Sequence, residues 1–185
     1  MAQQVKEKEK DVKSILITCA AVCLLAGCAT PPADVTSYWD ETGSQVSLLG
    51  NNLLETPGKP REVVYLNASR IYKSHDKATY YLEVTYLATT EVGYLDIPFG
   101  QTLTMILDGK PMLIVGSGSL NMRKTVKDNL VREVALYEVT KAQLQTIASA
   151  KRVQVKIRGN SGLIEREFGP KNYERFRLFV VTYAG

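Results

Sequence analysis

Two short groups of residues have types and spacing found in enzyme active sites and nucleotide sites. Ser74-His75-Asp76 holds the residue types of a hydrolase triad, but triad members converge from separate elements, whereas neighbours in a loop point apart. We therefore interpret this group as a polar hairpin loop. Gly116-x-Gly118-x-x-Asn121 ends in Asn where a dinucleotide fingerprint needs Gly or Ala, which favours a mobile loop. Because His75 is the sole histidine, a His-rich metal site is excluded.

A pair of carboxylates near the C-terminus is the remaining catalytic candidate. Glu165 and Glu167 are two residues apart on a predicted strand, so they share one face, as carboxylates in glycosidic chemistry do. The alternative is a solvated sheet surface on which they form cross-strand ion pairs with Lys156 or Arg158, and we favour it. The sequence thus predicts no catalytic residue, no metal ligands and no cofactor.

Basic side chains supply the candidate binding site. The chain has 23 Lys and Arg against 19 Asp and Glu, a net charge of +4. One basic cluster, for which we predict binding of an acidic protein or lipid phosphates, comprises Lys151, Arg152, Lys156 and Arg158. Interspersed carboxylates favour a simple solvated surface as the alternative. A tyrosine-lined pocket or contact patch is a further candidate, formed by Tyr80, Tyr81, Tyr86 and Tyr94.

Strands must position most of these residues. Tyr80, Leu82, Val84 and Tyr86 alternate with polar residues, which predicts a strand with one packed and one wet face. Further strands are predicted at 101–107, 112–115, 131–139, 153–157 and 163–168. Asp108-Gly109 suits a tight turn, and Pro111 favours an edge position for the strand that follows it.

Two helices are predicted in the last fifty residues. Thr140 and Gln143 have the spacing of a capping box, which predicts a helix over about 141–150. Pro170 suits the first position of a terminal helix. The predicted fold class is α+β, with a curved antiparallel sheet or small β-sandwich and one or two covering helices near the C-terminus.

The start of the chain predicts where the protein is located. An apolar run over 14–27, too short to span a bilayer as a helix, follows a charged segment and ends in Leu25-Ala26-Gly27-Cys28. This pattern resembles the lipobox of bacterial membrane lipoproteins. The resemblance implies cleavage before Cys28, a diacylglycerol on its thiol and an acyl chain on its new amine. It also implies that Ala29 favours the outer membrane in a Gram-negative host, with the protein facing the periplasm.

The predicted organisation has three parts. Residues 1–27 form a lipoprotein signal peptide, residues 28–60 an acylated N-terminus with a tether and irregular lead-in, and residues 61–185 a single globular α+β domain. Within the lead-in, Tyr38-Trp39 and Val46 to Leu49 are the segments able to form a short strand. Cys19 and Cys23 lie in the part to be removed, so the mature domain has no free thiol.

These observations favour a non-enzymatic envelope lipoprotein, attached to the membrane by lipid on Cys28, that acts as an adaptor or assembly factor for an envelope protein. The alternative is a lipoprotein that binds a small molecule, lipid or glycan on a tyrosine-lined sheet. An envelope hydrolase ranks third, because no nucleophile, base or metal set is evident. Export across the membrane argues against a nucleic-acid partner.

Overall fold

The computed structural model describes residues 35–56, 58, 61–73, 77–126 and 129–185. Cys28 and Ser74-His75-Asp76 lie outside the described residues, so the expectations about them stay predictions. The described residues belong to one compact unit, Pro32–Gly185. No helix in the described ranges is long and apolar enough to cross a bilayer.

Strands dominate this part of the chain. They are β1 Val35–Trp39, β2 Gln45–Leu49, β3 Leu53–Leu54, β4 Glu62–Lys73, β5 Lys77–Thr89, β6 Gly100–Leu107, β7 Lys110–Gly116, β8 Arg123–Val126, β9 Leu130–Val139, β10 Val153–Arg158 and β11 Leu163–Glu167. The helical elements are a 3-10 turn Leu120–Met122, α1 Lys141–Ser149 and α2 Pro170–Tyr183. The α+β class is therefore confirmed.

The strands form a single large antiparallel sheet, which replaces the small sandwich that we considered. Its order is β1-β2-β4-β5-β9-β7-β6-β10-β11, with β3 added to β4 and β8 to β9. The sheet curls strongly, since Arg166 of β11 forms an ion pair with Glu62 of β4 at 2.5 Å between Nη2 and Oε1. The core is enclosed by this curl and by the two helices.

The lead-in expected before residue 61 is not irregular, because its described part supplies three strands. β2 pairs with β4 from Gln45 opposite Tyr72 to Leu49 opposite Ala68, and β1 pairs with β2 outside it. Leu49 is fully buried in the core. The polar residues and glycines that break the sequence pattern lie in the tight connections between short strands, so the local composition concealed the pairing.

The inward face of β5 is as predicted, but its other face is drier than expected. Leu82 and Val84 are fully buried. On the opposite face Thr85 is also buried, and its hydroxyl donates to Glu83 Oε1 at 2.8 Å. The same Glu83 oxygen accepts from Asn67 Nδ2 at 3.1 Å. These hydrogen bonds satisfy polar groups that a wet face would leave to water.

Local signals placed the helix ends and one turn correctly. Gln143 N donates to Thr140 Oγ1 at 3.1 Å and Thr140 N donates to Gln143 Oε1 at 2.8 Å, so the capping box is formed. Pro170 occupies the first turn of α2. Asp108 and Gly109 have φ of 49° and 86°, as a two-residue hairpin turn between β6 and β7 requires.

Candidate functional site

The predicted basic cluster is spread along β10, and half of it is neutralised. Arg152 forms a bidentate pair with Glu167, with Nε–Oε1 at 2.9 Å and Nη2–Oε2 at 3.1 Å. Lys156 Nζ lies 2.5 Å from Glu165 Oε1. The carboxylates considered as a catalytic pair are therefore held by cross-strand ion pairs, as the favoured interpretation predicted for Lys156.

The other two basic residues lie at opposite ends of β10. Lys151 precedes the strand and Arg158 ends it, and both are exposed. The backbone N–H groups of Lys151 and Arg152 donate to Asp108 Oδ1 at 3.0 and 2.7 Å. These hydrogen bonds lower the pKa of the Asp108 carboxyl, and the bond from Arg152 has the larger effect. The four basic residues thus do not converge on one ligand, and Arg158 is exposed at the end of β10 with no ion pair in the described residues.

A groove of about 370 Å³ lies between β10, β11 and Glu55. Its lining is mostly charged, with Glu55, Lys156, Glu165 and Arg166 among the lining residues. An apolar ligand pocket with a few convergent polar groups would have the opposite composition. Within the described residues, no group of three or more His, Cys, Asp or Glu side chains is arranged to hold a metal ion.

The tyrosines that we grouped by sequence have separate structural contacts. Tyr80 donates its hydroxyl to Tyr183 O at 3.2 Å, and Tyr86 donates to Gly93 O at 3.3 Å. Burial, followed by the negative charge of Glu62, raises the pKa of Tyr86 to about 12. The guanidinium carbon of Arg123 lies over the ring of Tyr94, 5.7 Å from the ring centroid. Tyr81 lies on the opposite face of β5 from Tyr80 and Tyr86, so the four side chains do not line one common pocket.

The glycine-rich segment after β7 is packed against backbone, which corrects the expectation of a mobile loop. Gly118 has φ of 71°, and a Cβ added there would lie 2.8 Å from Phe99 N. Ser119 N donates to Ile97 O at 2.9 Å. The glycine serves a close approach of two chain segments rather than a phosphate.

A buried carboxylate, which sequence reasoning missed, lies directly behind this contact. Glu133 of β9 is fully buried and accepts from Ile97 N at 2.7 Å and from Asp96 N at 3.1 Å. The hydroxyl of Ser119 donates to the same carboxylate, and Arg123 Nε lies 3.6 Å from Glu133 Oε1. A buried charge is tolerated when it is paired and hydrogen-bonded in this way.

Arg123 extends this network to the neighbouring loop. Its guanidinium pairs with the Asp96 carboxylate, which also accepts from Asn160 Nδ2 at 2.8 Å. The bond from Asn160, followed by that from Arg123, lowers the pKa of the Asp96 carboxyl. Three segments, around residues 96, 119 and 160, are thereby fixed to β9. The alternation of Val131, Glu133, Ala135 and Tyr137 was the sequence signal that Glu133 faces inward.

Exposed apolar side chains form two surfaces beside this network. The first, which we call the hairpin surface, consists of Leu113 and Val115 of β7, with exposed fractions of 53% and 51%. The second, the apolar tip, consists of Phe99, Leu120 and Met122, with exposed fractions of 79%, 77% and 45%. Large apolar patches on a protein surface mark sites of contact with another molecule, which makes these two groups candidates for such sites.

The fold and these surfaces define an α+β protein with one large, curled antiparallel sheet and two exposed apolar surfaces. Comparisons of the chain with protein-family models, curated proteins and solved structures find no match. The function must therefore be argued from the chain itself.

Proposed function

We propose that this protein is a lipid-anchored lipoprotein of the bacterial envelope that acts without catalysis as a protein adaptor. We propose lipid on Cys28 as its anchor because Leu25-Ala26-Gly27-Cys28 resembles a lipobox. Its partner is an envelope protein bound on the outer face of the β6–β7 hairpin. In a Gram-negative host, the protein faces the periplasm from the outer membrane, as Ala29 favours.

The hairpin surface is the observation that supports this proposal. Leu113 and Val115 are two residues apart on β7, so both point to the outer face, while Ile114 between them is buried. A strand face turned to solvent ordinarily has polar residues at such positions. Two half-exposed aliphatic side chains in a row supply apolar area that a partner can bury.

The edge of β7 adds to this surface. β7 pairs with β6 from Lys110 to Gly116, but its recorded pairing with β9 in the described residues is limited to Gly116 opposite Tyr137. The sheet order places β7 between β9 and β6 rather than at an edge as expected, but Pro111 lies in the part of β7 that is paired with β6 and not with β9 in the described residues. Pro111 limits indiscriminate strand pairing, which favours a partner recognised by side chains.

Charge on the same face indicates the chemistry of the partner. Arg158 is exposed at the end of β10, which pairs with β6 on the side away from β7. Lys156 on that strand and Arg152 just before it are already paired with carboxylates. We therefore expect a partner surface with apolar side chains that meet Leu113 and Val115 and a carboxylate that meets Arg158.

In-cell crosslinking of the full tagged chain tests the proposal. We expect a stoichiometric envelope protein to be captured by the wild type and lost with Leu113→Asp or Val115→Asp. Leu178→Asp is the matched control, because Leu178 is 45% exposed but lies on α2 rather than on the sheet. A partner that persists in both hairpin variants, or the absence of any partner from the wild type, contradicts the adaptor function.

A further inference from the structure

We infer that the apolar tip, Phe99, Leu120 and Met122, docks on an anionic lipid surface. Phe99 precedes β6, and the other two residues lie in the 3-10 turn before β8. The two segments are adjacent, since Ser119 N donates to Ile97 O and β6 pairs with β7 at Gly100 and Gly116. Binding at a bilayer surface grows with the apolar area that enters the headgroup layer and with attraction to anionic lipid, and exposed apolar side chains at the end of a sheet can supply that area.

Buried hydrogen bonds attach both segments of the tip to β9. The carboxylate of Glu133 accepts from Ile97 N on one segment and from the Ser119 hydroxyl on the other. Both Glu133 and Ser119 are fully buried. A flexible loop could fold its apolar side chains back onto the protein, whereas this network keeps Phe99 and Leu120 in solvent. Docking therefore orders little additional chain, which reduces its entropic cost.

Positive charge next to the tip selects an anionic surface. Lys124 of β8 lies directly opposite Arg132 of β9 in the strand register. Like charges in such a pair destabilise a sheet. In the described part of the chain neither side chain forms an ion pair, and the nearby Asp96 carboxylate is already paired with Arg123. Lipid phosphates would relieve this repulsion while the apolar residues enter the headgroup layer.

The strand register places Val35, the first residue described, at the same end of the sheet as the apolar tip. One row of paired residues runs from Val35 through Leu49, Ala68, Leu82, Tyr137 and Gly116 to Gly100. From this row β1 and β6 run in the same direction, so the first residues of both strands, Val35 and Gly100, lie at the same end of the sheet, and Phe99 directly precedes β6 there. Trp39, at the far end of β1, lies away from the tip.

The length of chain before β1 agrees with this orientation, in a step that rests on the proposed lipid anchor. Six residues separate Cys28 from Val35, and fully extended they span roughly 20 Å. That reach is smaller than a domain of this size, so the anchor restricts which side of the sheet can meet the membrane. The tip is on the side from which the chain enters β1.

Tryptophan quenching by brominated lipid tests the inference in the full, acylated chain reconstituted into vesicles. Trp39 is the single tryptophan and 69% exposed, so the wild type reports on the end of the sheet away from the tip. Leu120→Trp combined with Trp39→Phe moves the reporter to the tip. Vesicles of phosphatidylethanolamine and phosphatidylglycerol are compared with vesicles of phosphatidylcholine alone.

We expect the tryptophan at the tip to be strongly quenched and blue-shifted on the anionic vesicles, and Trp39 to be unaffected. Lys124→Gln and Arg132→Gln should each weaken docking about fivefold, in a salt-dependent manner. Phe99→Asp should abolish the quenching. Val181→Asp is the matched control, because Val181 on α2 is exposed to the same degree as Phe99. Equal quenching at the two ends, or none at the tip, overturns the inference.

Failure of the anchor and failure of docking give different results. If mass spectrometry shows no acyl chain on Cys28, the proposed function fails, and the tip is tested by adding the same chain to preformed anionic vesicles. If the chain is acylated but the tip is not quenched, docking alone fails. If the tryptophan at the tip is protected from solvent only in the crosslinked partner complex and not on vesicles, this surface binds a protein and the lipid inference is overturned.

Discussion

The backbone N–H of Ile97 donates to the buried carboxylate of Glu133 at 2.7 Å, across 36 residues of sequence. This bond fixes the segment before β6 to the middle of β9. The same carboxylate accepts from Ser119, so both halves of the apolar tip depend on one side chain.

Glu133→Ala is expected to destabilise the fold by about 2–4 kcal/mol, because it leaves the N–H groups of Ile97 and Asp96 without their acceptor, while Arg123 keeps its pair with Asp96. Urea unfolding measures this loss. Glu138→Ala on the same strand is the control, since Glu138 is exposed and should cost less than about 0.5 kcal/mol. Equal effects of the two substitutions would show that the Glu133 network adds nothing to stability.

Gly118→Ala is expected to destabilise the protein more than Gly43→Ala. Both glycines have nearly the same positive φ, 71° and 73°, so the conformational cost of a Cβ is shared. At Gly118 the added Cβ also meets Phe99 N at 2.8 Å, whereas at Gly43 it meets nothing within 4 Å. Thermal unfolding of the two variants isolates the cost of the close approach. A larger loss for Gly43→Ala would contradict the packing of the loop.

Asp108→Asn is expected to lower stability at neutral pH and to have a smaller effect in acid. The pKa of Asp108 is lowered in the folded protein by the N–H groups of Arg152 and Lys151. A carboxyl with a lowered folded pKa stabilises the fold above its unfolded pKa of 3.8, and this stabilisation is lost as pH falls through the folded value. Urea midpoints from pH 6 to pH 2.5 measure the difference. A difference that does not shrink in acid would contradict the role of the charge.

Cys28→Ser is expected to abolish acyl labelling and to release the protein from the membrane fraction. The thiol of Cys28 is the proposed site of the diacylglycerol, and no other residue of the lipobox pattern can accept it. Radiolabelled palmitate and membrane fractionation measure both effects. Cys23→Ser is the control within the predicted signal peptide and should leave labelling intact. A Cys28→Ser chain that still carries label would exclude the lipobox.

Local signals predicted the elements whose formation depends on neighbours in sequence. The capping box of Thr140 and Gln143 and the turn at Asp108-Gly109 are confirmed because their hydrogen bonds and dihedral angles involve residues at most three apart. The alternation in β5 likewise predicted its buried face. The ion pair of Lys156 with Glu165 was predicted, since two adjacent antiparallel strands bring such residues together.

Contacts between distant segments could not be obtained this way. β1, β2 and β3 lie in a stretch whose composition indicated a lead-in, but β2 and β3 pair with β4 and β1 pairs with β2, which makes all three part of the sheet. The basic cluster looked coherent in sequence, but its residues are separated along β10 and partly neutralised by β11. A strand's partner and the charges that face it are set by the whole chain, so tertiary packing overrides local composition.

The sequence by itself determined the α+β class, the helix ends and the candidate anchor at Cys28, because these depend on periodicity, capping chemistry and a contiguous motif. The tertiary structure decided that Glu133 faces inward among Asp96, Ile97 and Ser119, and that Phe99 and Leu120 are left exposed together. The physical reason is that a buried charge needs several donors at once. Those donors come from segments far apart in the chain, and only folding brings them to one carboxylate.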